Sequence, residues 1–183
     1  MEAIYSSAWD TFIRQPLPAL HPWLLYAGST TEALKQLSHH QLVINVIKQA
    51  WELPTQAEAD YLHCREGETV FVREIYMEGL NEHWMFCRSI FPKKTLTGED
   101  GQLFTQLNNC PLGKILYKNG QWKRSSFDYM EVARGNALYE DAVKPLTAAP
   151  DTLWARQSHF SHGPKIILIS EVFLPELLKH PIP

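Results

Sequence analysis

Residues 69–77, TVFVREIYM, and residues 83–91, HWMFCRSIF, decide the fold. Both stretches are rich in β-branched and aromatic residues, and Glu78-Gly79-Leu80-Asn81-Glu82 between them holds turn formers. They read as an antiparallel hairpin whose second strand is ended by Pro92. Side chains alternate across a strand. Phe71, Arg73, Ile75 and Met77 therefore share one face of the first strand, and Trp84, Phe86, Arg88 and Ile90 one face of the second. Each face sets one arginine among large apolar neighbours.

A second hairpin lies near the C-terminus. Residues 154–160 return through His162-Gly163-Pro164 into residues 165–174, and Pro175 stops the strand. That strand carries Ile167, Ile169, Glu171 and Phe173 on one face and Ile166, Leu168, Val172 and Leu174 on the other. A strand apolar on both sides belongs in the middle of a sheet. Between the hairpins the signals are helical. Ser29 and Glu32 have the spacing of a capping box and predict a helix over 30–38. The loop Leu96-Thr97-Gly98 leads into a helix over 99–107, and Pro111 suits the first turn of another through Leu112, Ile115 and Leu116. Residues 42–51 and 127–133 read as further strands, and residues 16–22 as an entry loop. Strands gathered in hairpins with helices between them predict an antiparallel α+β domain spanning residues 1–183.

Composition narrows the function. The chain of 183 residues, 45% hydrophobic and 20% charged, suits one domain with a sizeable core. A formal net charge of −3 gives no electrostatic reason to expect nucleic acid or an anionic membrane as partner. Any anionic ligand must then be captured by local cations. The opening MEAIYSSAWDTFIRQPLPAL lacks the pattern of a signal peptide, and no apolar run is long enough for a membrane span. Cys64, Cys87 and Cys110 are widely spaced and odd in number, which points to free thiols in a reducing cytoplasm.

An unpaired charge buried among apolar strand residues costs several kcal/mol, roughly, even after relaxation. Arg73, Arg88 and Glu171 must therefore pair with one another, reach an edge or face a polar cavity. Two arginines and one carboxylate leave positive charge over, and a bound carboxylate completes the set through a two-pronged guanidinium contact. An internal ion-pair cluster without function satisfies the same pattern.

The motifs Arg73-Glu74-Ile75, Arg88-Ser89 with Pro92, Thr95-Leu96-Thr97-Gly98, Pro111-Leu112-Gly113 and Ser170-Glu171-Val172-Phe173-Leu174-Pro175 occur in an order that resembles the chorismate lyase family. Trp23-Leu24-Leu25 with Ser29 and Thr31, and Trp154-Ala155-Arg156-Gln157-Ser158, are similar as well, so the resemblance runs over residues 23–175. It implies an antiparallel sheet of about six strands with packed helices and an internal ligand cavity. It also implies a cofactor-free elimination of pyruvate from chorismate, giving 4-hydroxybenzoate on the way to ubiquinone. Carried onto this chain, Arg73 pairs with the ring carboxylate, Glu171 contacts the hydroxyl across the ring, and the backbone of Leu112 adds a hydrogen bond there. Arg88 matches a second arginine associated with ligand entry or the enolpyruvyl carboxylate. The family often has Met at the position of Thr30, in a segment that closes the cavity. Residues 134–151 are longer than the family pattern and read as a surface excursion or an added lid.

Other constellations carry less. His39-His40 follows a helix end, and His159-x-x-His162 flanks a turn; neither has zinc-site spacing, so no metal is expected. Cys64 beside His63 lacks an orienting partner for a nucleophile. Phosphate-binding loops, GxSxG elbows and dinucleotide fingerprints are not found. The expected partners are chorismate and 4-hydroxybenzoate, with the protein a monomer. Two other readings remain open: a small-ligand sensor like the effector domains of certain repressors, and a related enzyme giving another hydroxybenzoate. The sensor reading calls for an N-terminal DNA-binding half, for which only the short stretch before residue 23 is expected.

Overall fold

The computed structural model of the protein describes residues 18–118 and 120–183. The stretch read for a signal peptide, except its last three residues, and the start of the entry loop lie outside the described residues. In chain order the elements are α1 (His21–Leu25), α2 (Thr30–Leu37), β1 (Val43–Glu52), α3 (Gln56–Leu62), β2 (Val70–Gly79), β3 (Glu82–Phe91), α4 (Gly98–Thr105) and α5 (Gly113–Leu116). They continue with β4 (Lys123–Arg124), β5 (Asp128–Ala133), α6 (Ala137–Ala142), β6 (Thr152–His162) and β7 (Lys165–Phe173).

All seven strands join one sheet, in the order β1-β2-β3-β7-β6-β4, with β5 also on β6. Every pairing is antiparallel. The expected count of about six strands becomes seven because the outermost place is shared. β5 lies along Thr152–Gln157, and the two residues of β4 lie on Phe160 and Ser161. β7 is central, as its two apolar faces predicted.

The first hairpin is tighter than the five-residue loop read from the sequence. Its strands run on to Gly79 and Glu82, leaving Leu80 and Asn81 as the turn, with φ of 53° and 64°. Two positive φ angles in succession are the two-residue turn whose twist matches the flanking strands. Gly163, with φ of 56°, opens the second turn. One bulge alters the alternation: Met77 pairs with Met85 but Glu78 pairs with His83, so Trp84 is the extra residue. Trp84 consequently packs with Trp23, Met85 and Leu177 rather than with Phe86.

The two faces of the sheet have different covers. On one, α1 and α2 pack on Ile75 and Met77, while Phe104 of α4 and Leu116 of α5 pack on Phe71, Phe91 and Ile167. On the other, Leu62 of α3 covers Val70, Val72, Ile90 and Leu168. Tyr139 and Ala142 of α6 cover Tyr76, Phe86 and Val172 on that same face. α3 has no counterpart in the sequence reading, although Thr55 and Glu58 form a complete capping box at its start.

Residues 134–151 are therefore neither a surface excursion nor a lid. They contain α6, whose Tyr139 is buried and hydrogen-bonded through its hydroxyl to the Pro150 carbonyl at 2.5 Å. Replacing Tyr139 by Ala is expected to cost about 3–5 kcal/mol in urea denaturation, as for other large buried aromatics. Ligand affinity on the opposite face is expected to stay within about twofold, the energetic noise of well-separated sites.

Candidate active site

Strand register builds a floor from two rows of residues. In one row Arg73 pairs with Ser89, Ser89 with Ile169, and Ile169 with Ser158. In the next, Ile75 pairs with Cys87, Cys87 with Glu171, and Glu171 with Arg156. Above this floor is a cavity walled by Thr30 and Thr31 of α2, Leu112, Gly113 and Leu116 around α5, and Arg124 of β4. Ser29 caps α2 by accepting from the Glu32 amide at 3.4 Å. Glu32 does not reach back; it takes the Lys35 ammonium at 2.6 Å, so only half of the expected capping box forms.

Arg73 is 1% exposed, and none of its partners among the described residues is a carboxylate. Its Nη2 donates to the carbonyls of Asn108 at 2.8 Å and Cys110 at 3.0 Å. Its Nε is buried with no partner. Burial pulls its pKa below the ordinary arginine value, but a guanidinium keeps its proton in proteins. The side chain is thus a desolvated cation, steered by backbone dipoles and open to an anion in the cavity.

Glu171 has its own partner. Arg156, fully buried, donates from Nε to Glu171 Oε2 at 2.6 Å. Its Nη1 donates to the carbonyls of Trp23, Leu24 and Tyr26 at 3.1, 3.0 and 2.9 Å. Its Nη2 donates to Thr30 Oγ1 at 2.6 Å. Phe127 stacks 4.1 Å from this guanidinium. One arginine therefore ties the chain between α1 and α2 to the sheet and orients Glu171 at the cavity.

Arg88 does not join Arg73 and Glu171 at the cavity. Glu74, not Arg73, faces it across the β2–β3 pair, and both point to the opposite side of the sheet. There Arg88 donates to Glu58 at 2.8 and 3.1 Å, to Glu74 at 2.5 Å and to Glu52 at 3.0 Å. Burial opposes its charge, but Glu58 and Glu74 outweigh it and hold the pKa above the ordinary value. Arg88 is a cation held by three glutamates on the face that α3 covers, and it does not line the cavity.

Arg124, not Arg88, lines the cavity. Sequence reasoning missed both Arg124 and Arg156. Arg156 could have been found by alternation, since it shares a face with Ser158 and Phe160. Arg124 offered no such signal, because β4 has two residues. Among the described residues the cavity lining holds the guanidinium groups of Arg73 and Arg124 and the carboxylate of Glu171, with Arg156 paired to that carboxylate.

The remaining candidates behave as ordinary structure. Burial above all, with Glu171 adding to it, pushes the Cys87 thiol up, so it stays neutral in the cavity wall. Burial also pushes the Cys64 thiol up, which does not suit a nucleophile. His159 meets the Tyr61 hydroxyl at 2.6 Å, and no metal-holding group of three or more side chains exists among the described residues. No helix among the described residues is long and apolar enough to cross a membrane.

The chain matches the sequence model of the family described as chorismate lyase over residues 4–181. The chain belongs to the chorismate lyase family. A probable chorismate pyruvate-lyase of Pseudomonas putida is 36% identical over 155 residues, covering 85% of this chain and 81% of that protein. One from Methylobacillus flagellatus is 30% identical over 175 residues, covering 94% and 97%. Among solved structures, the C-terminal domain of the histidine utilization repressor from Pseudomonas syringae superposes with a TM-score of 0.57. It is 12% identical and covers 78% of this chain and 96% of that one. That likeness is one of fold. This member of the chorismate lyase family shares its fold with a repressor's C-terminal domain.

Proposed function

We propose that this protein eliminates pyruvate from chorismate to give 4-hydroxybenzoate, without metal or cofactor. The observation that carries the reading is Arg73, a buried cation with no acid partner among the described residues, facing a cavity in a chorismate lyase family chain. The ring carboxylate of chorismate supplies the missing anion. The hydroxyl across the ring then lies at Glu171, whose Oε1 is not engaged by Arg156, with the Leu112 backbone beside it. Thr30 contributes through its backbone, because its hydroxyl is occupied by Arg156.

The chemistry needs little more than this. The ether C–O bond to the ring breaks, with its electron pair leaving on the enolpyruvate oxygen. The ring carbon bearing the hydroxyl loses its hydrogen as a proton, and the enolpyruvate methylene gains one to become pyruvate. Atoms and charge balance, and aromatisation drives the step. The protein's part is to position the substrate, exclude water and meet developing charge. We place the reaction in the cytoplasm, in ubiquinone biosynthesis, on one monomeric domain.

The test is to incubate purified protein with chorismate alone and analyse the products. Equal amounts of 4-hydroxybenzoate and pyruvate are expected. A different hydroxybenzoate points to a related chorismate-cleaving enzyme. Tight binding of 4-hydroxybenzoate with no turnover replaces the enzyme reading with a sensor.

A further inference from the structure

We infer that Arg124 grips the substrate's second carboxylate, the one that departs with pyruvate, so that separate arginines hold the two carboxylates. The inference rests on the chorismate lyase reading above. Chorismate carries two carboxylates, one on the ring and one on the enolpyruvyl arm. A cavity built for it needs two cations beyond those neutralised by its own acids. Arg73 supplies one. Arg156 is spent on Glu171, and Arg88 lies on the opposite face among three glutamates. Arg124 is the remaining guanidinium at the cavity, and no described carboxylate pairs with it.

Its placement is constructed. Arg124 pairs in register with Phe160, and both line the cavity. Nη1 donates to the Gly28 carbonyl at 3.2 Å and the Tyr117 hydroxyl at 3.1 Å, and Nη2 donates to the Ala27 carbonyl. The Phe127 ring lies 4.7 Å from the guanidinium carbon. These contacts use three of five N–H donors and leave the Nε–H with one Nη2–H, the side-on fork that takes a carboxylate.

Its location fits the substrate's shape. The ring carboxylate and the hydroxyl of chorismate sit at opposite ends of the ring, and the enolpyruvyl ether is on the carbon next to the hydroxyl. With the carboxylate on Arg73 and the hydroxyl at Glu171, the arm projects from the Glu171 end. Arg124 borders that end: the Phe127 ring that lies against its guanidinium also lies 4.1 Å from the guanidinium carbon of Arg156, which holds Glu171 at 2.6 Å. When the ether bond breaks, negative charge grows on the oxygen next to the held carboxylate, within the field of the same cation.

The two carboxylates separate in the products, and that gives the test. 4-Hydroxybenzoate retains only the ring carboxylate. Arg124→Gln, which removes the charge but keeps an amide donor for the Ala27 and Gly28 carbonyls, is expected to raise KM for chorismate about ten- to a hundredfold, the worth of a charged hydrogen bond. Its Kd for 4-hydroxybenzoate by calorimetry should stay within about twofold of the parent's, the usual scatter between non-interacting groups. Arg124→Lys, retaining charge without the fork, should fall between on KM, and it serves if the Gln variant melts early. Unchanged KM in both variants overturns the inference while leaving the lyase reading intact. So does a parallel loss of affinity for 4-hydroxybenzoate, which marks Arg124 as a structural staple. A parent protein that leaves chorismate uncleaved overturns both.

Discussion

Replacing Arg73 by Met lowers kcat/KM for chorismate about 30- to 5,000-fold, the cost of truncating one partner of a buried charge pair. The melting temperature of the ligand-free protein stays level or rises. The two halves of this result have one cause. The Arg73 guanidinium is 1% exposed, balanced by no acid among the described residues, and joined through Nη2 to two backbone carbonyls. Burying a charge on those terms costs more than two such hydrogen bonds return, so the folded protein gains by losing it. The same cation regains its worth only when a carboxylate arrives. Thermal shift with 4-hydroxybenzoate checks the second half: the ligand should stabilise the parent, because it binds only the folded state, and leave the variant unmoved. A variant that melts several degrees lower yet turns over chorismate normally makes Arg73 a structural cation and removes the proposed anchor.

Arg73 was legible in the sequence because alternation in a single strand suffices to place it among apolar neighbours. The same reasoning found Glu171 and the central position of β7. It failed for Arg88 because alternation names a face of one strand but not which side of the sheet that face joins. Register decides that, and a shift of one residue reverses it. Arg73 sits opposite Ser89, and Arg88 opposite Glu74, so the two arginines point apart. The closing carboxylate of Glu58 comes from α3, some 30 residues earlier, with no local pattern to announce it. The role of residues 134–151 was hidden for a similar reason. The apolar face of α6 is short, and only the packed sheet shows that Tyr76 and Phe86 were waiting for it. Arg156 lay within a quoted motif, but its partners Trp23, Leu24 and Tyr26 are backbone carbonyls, which carry no sequence signature.

Those partners make Arg156→Ala the second large effect, and here stability and activity fall together. The change leaves Glu171 without its cation at 2.6 Å, takes a donor from each of three carbonyls and frees Thr30. Removing one member of a buried ion pair costs about 3–5 kcal/mol, and denaturant unfolding should read a loss of that size. Turnover of chorismate should fall further than the unfolded fraction explains, because the cavity wall at Thr30 and the orientation of Glu171 both depend on this side chain. The double variant Arg156→Met with Glu171→Leu separates the two contributions. Removing both charges together avoids the unpaired carboxylate, so part of the lost stability returns. The carbonyls of residues 23, 24 and 26 still lack the Arg156 donor, and among the described residues only Trp23 keeps another, from the Tyr26 amide, so the recovery is partial. Activity does not return, because the group that meets the substrate hydroxyl has gone. If the double variant regains turnover along with stability, Glu171 has no part in the chemistry and Arg156 serves the fold alone.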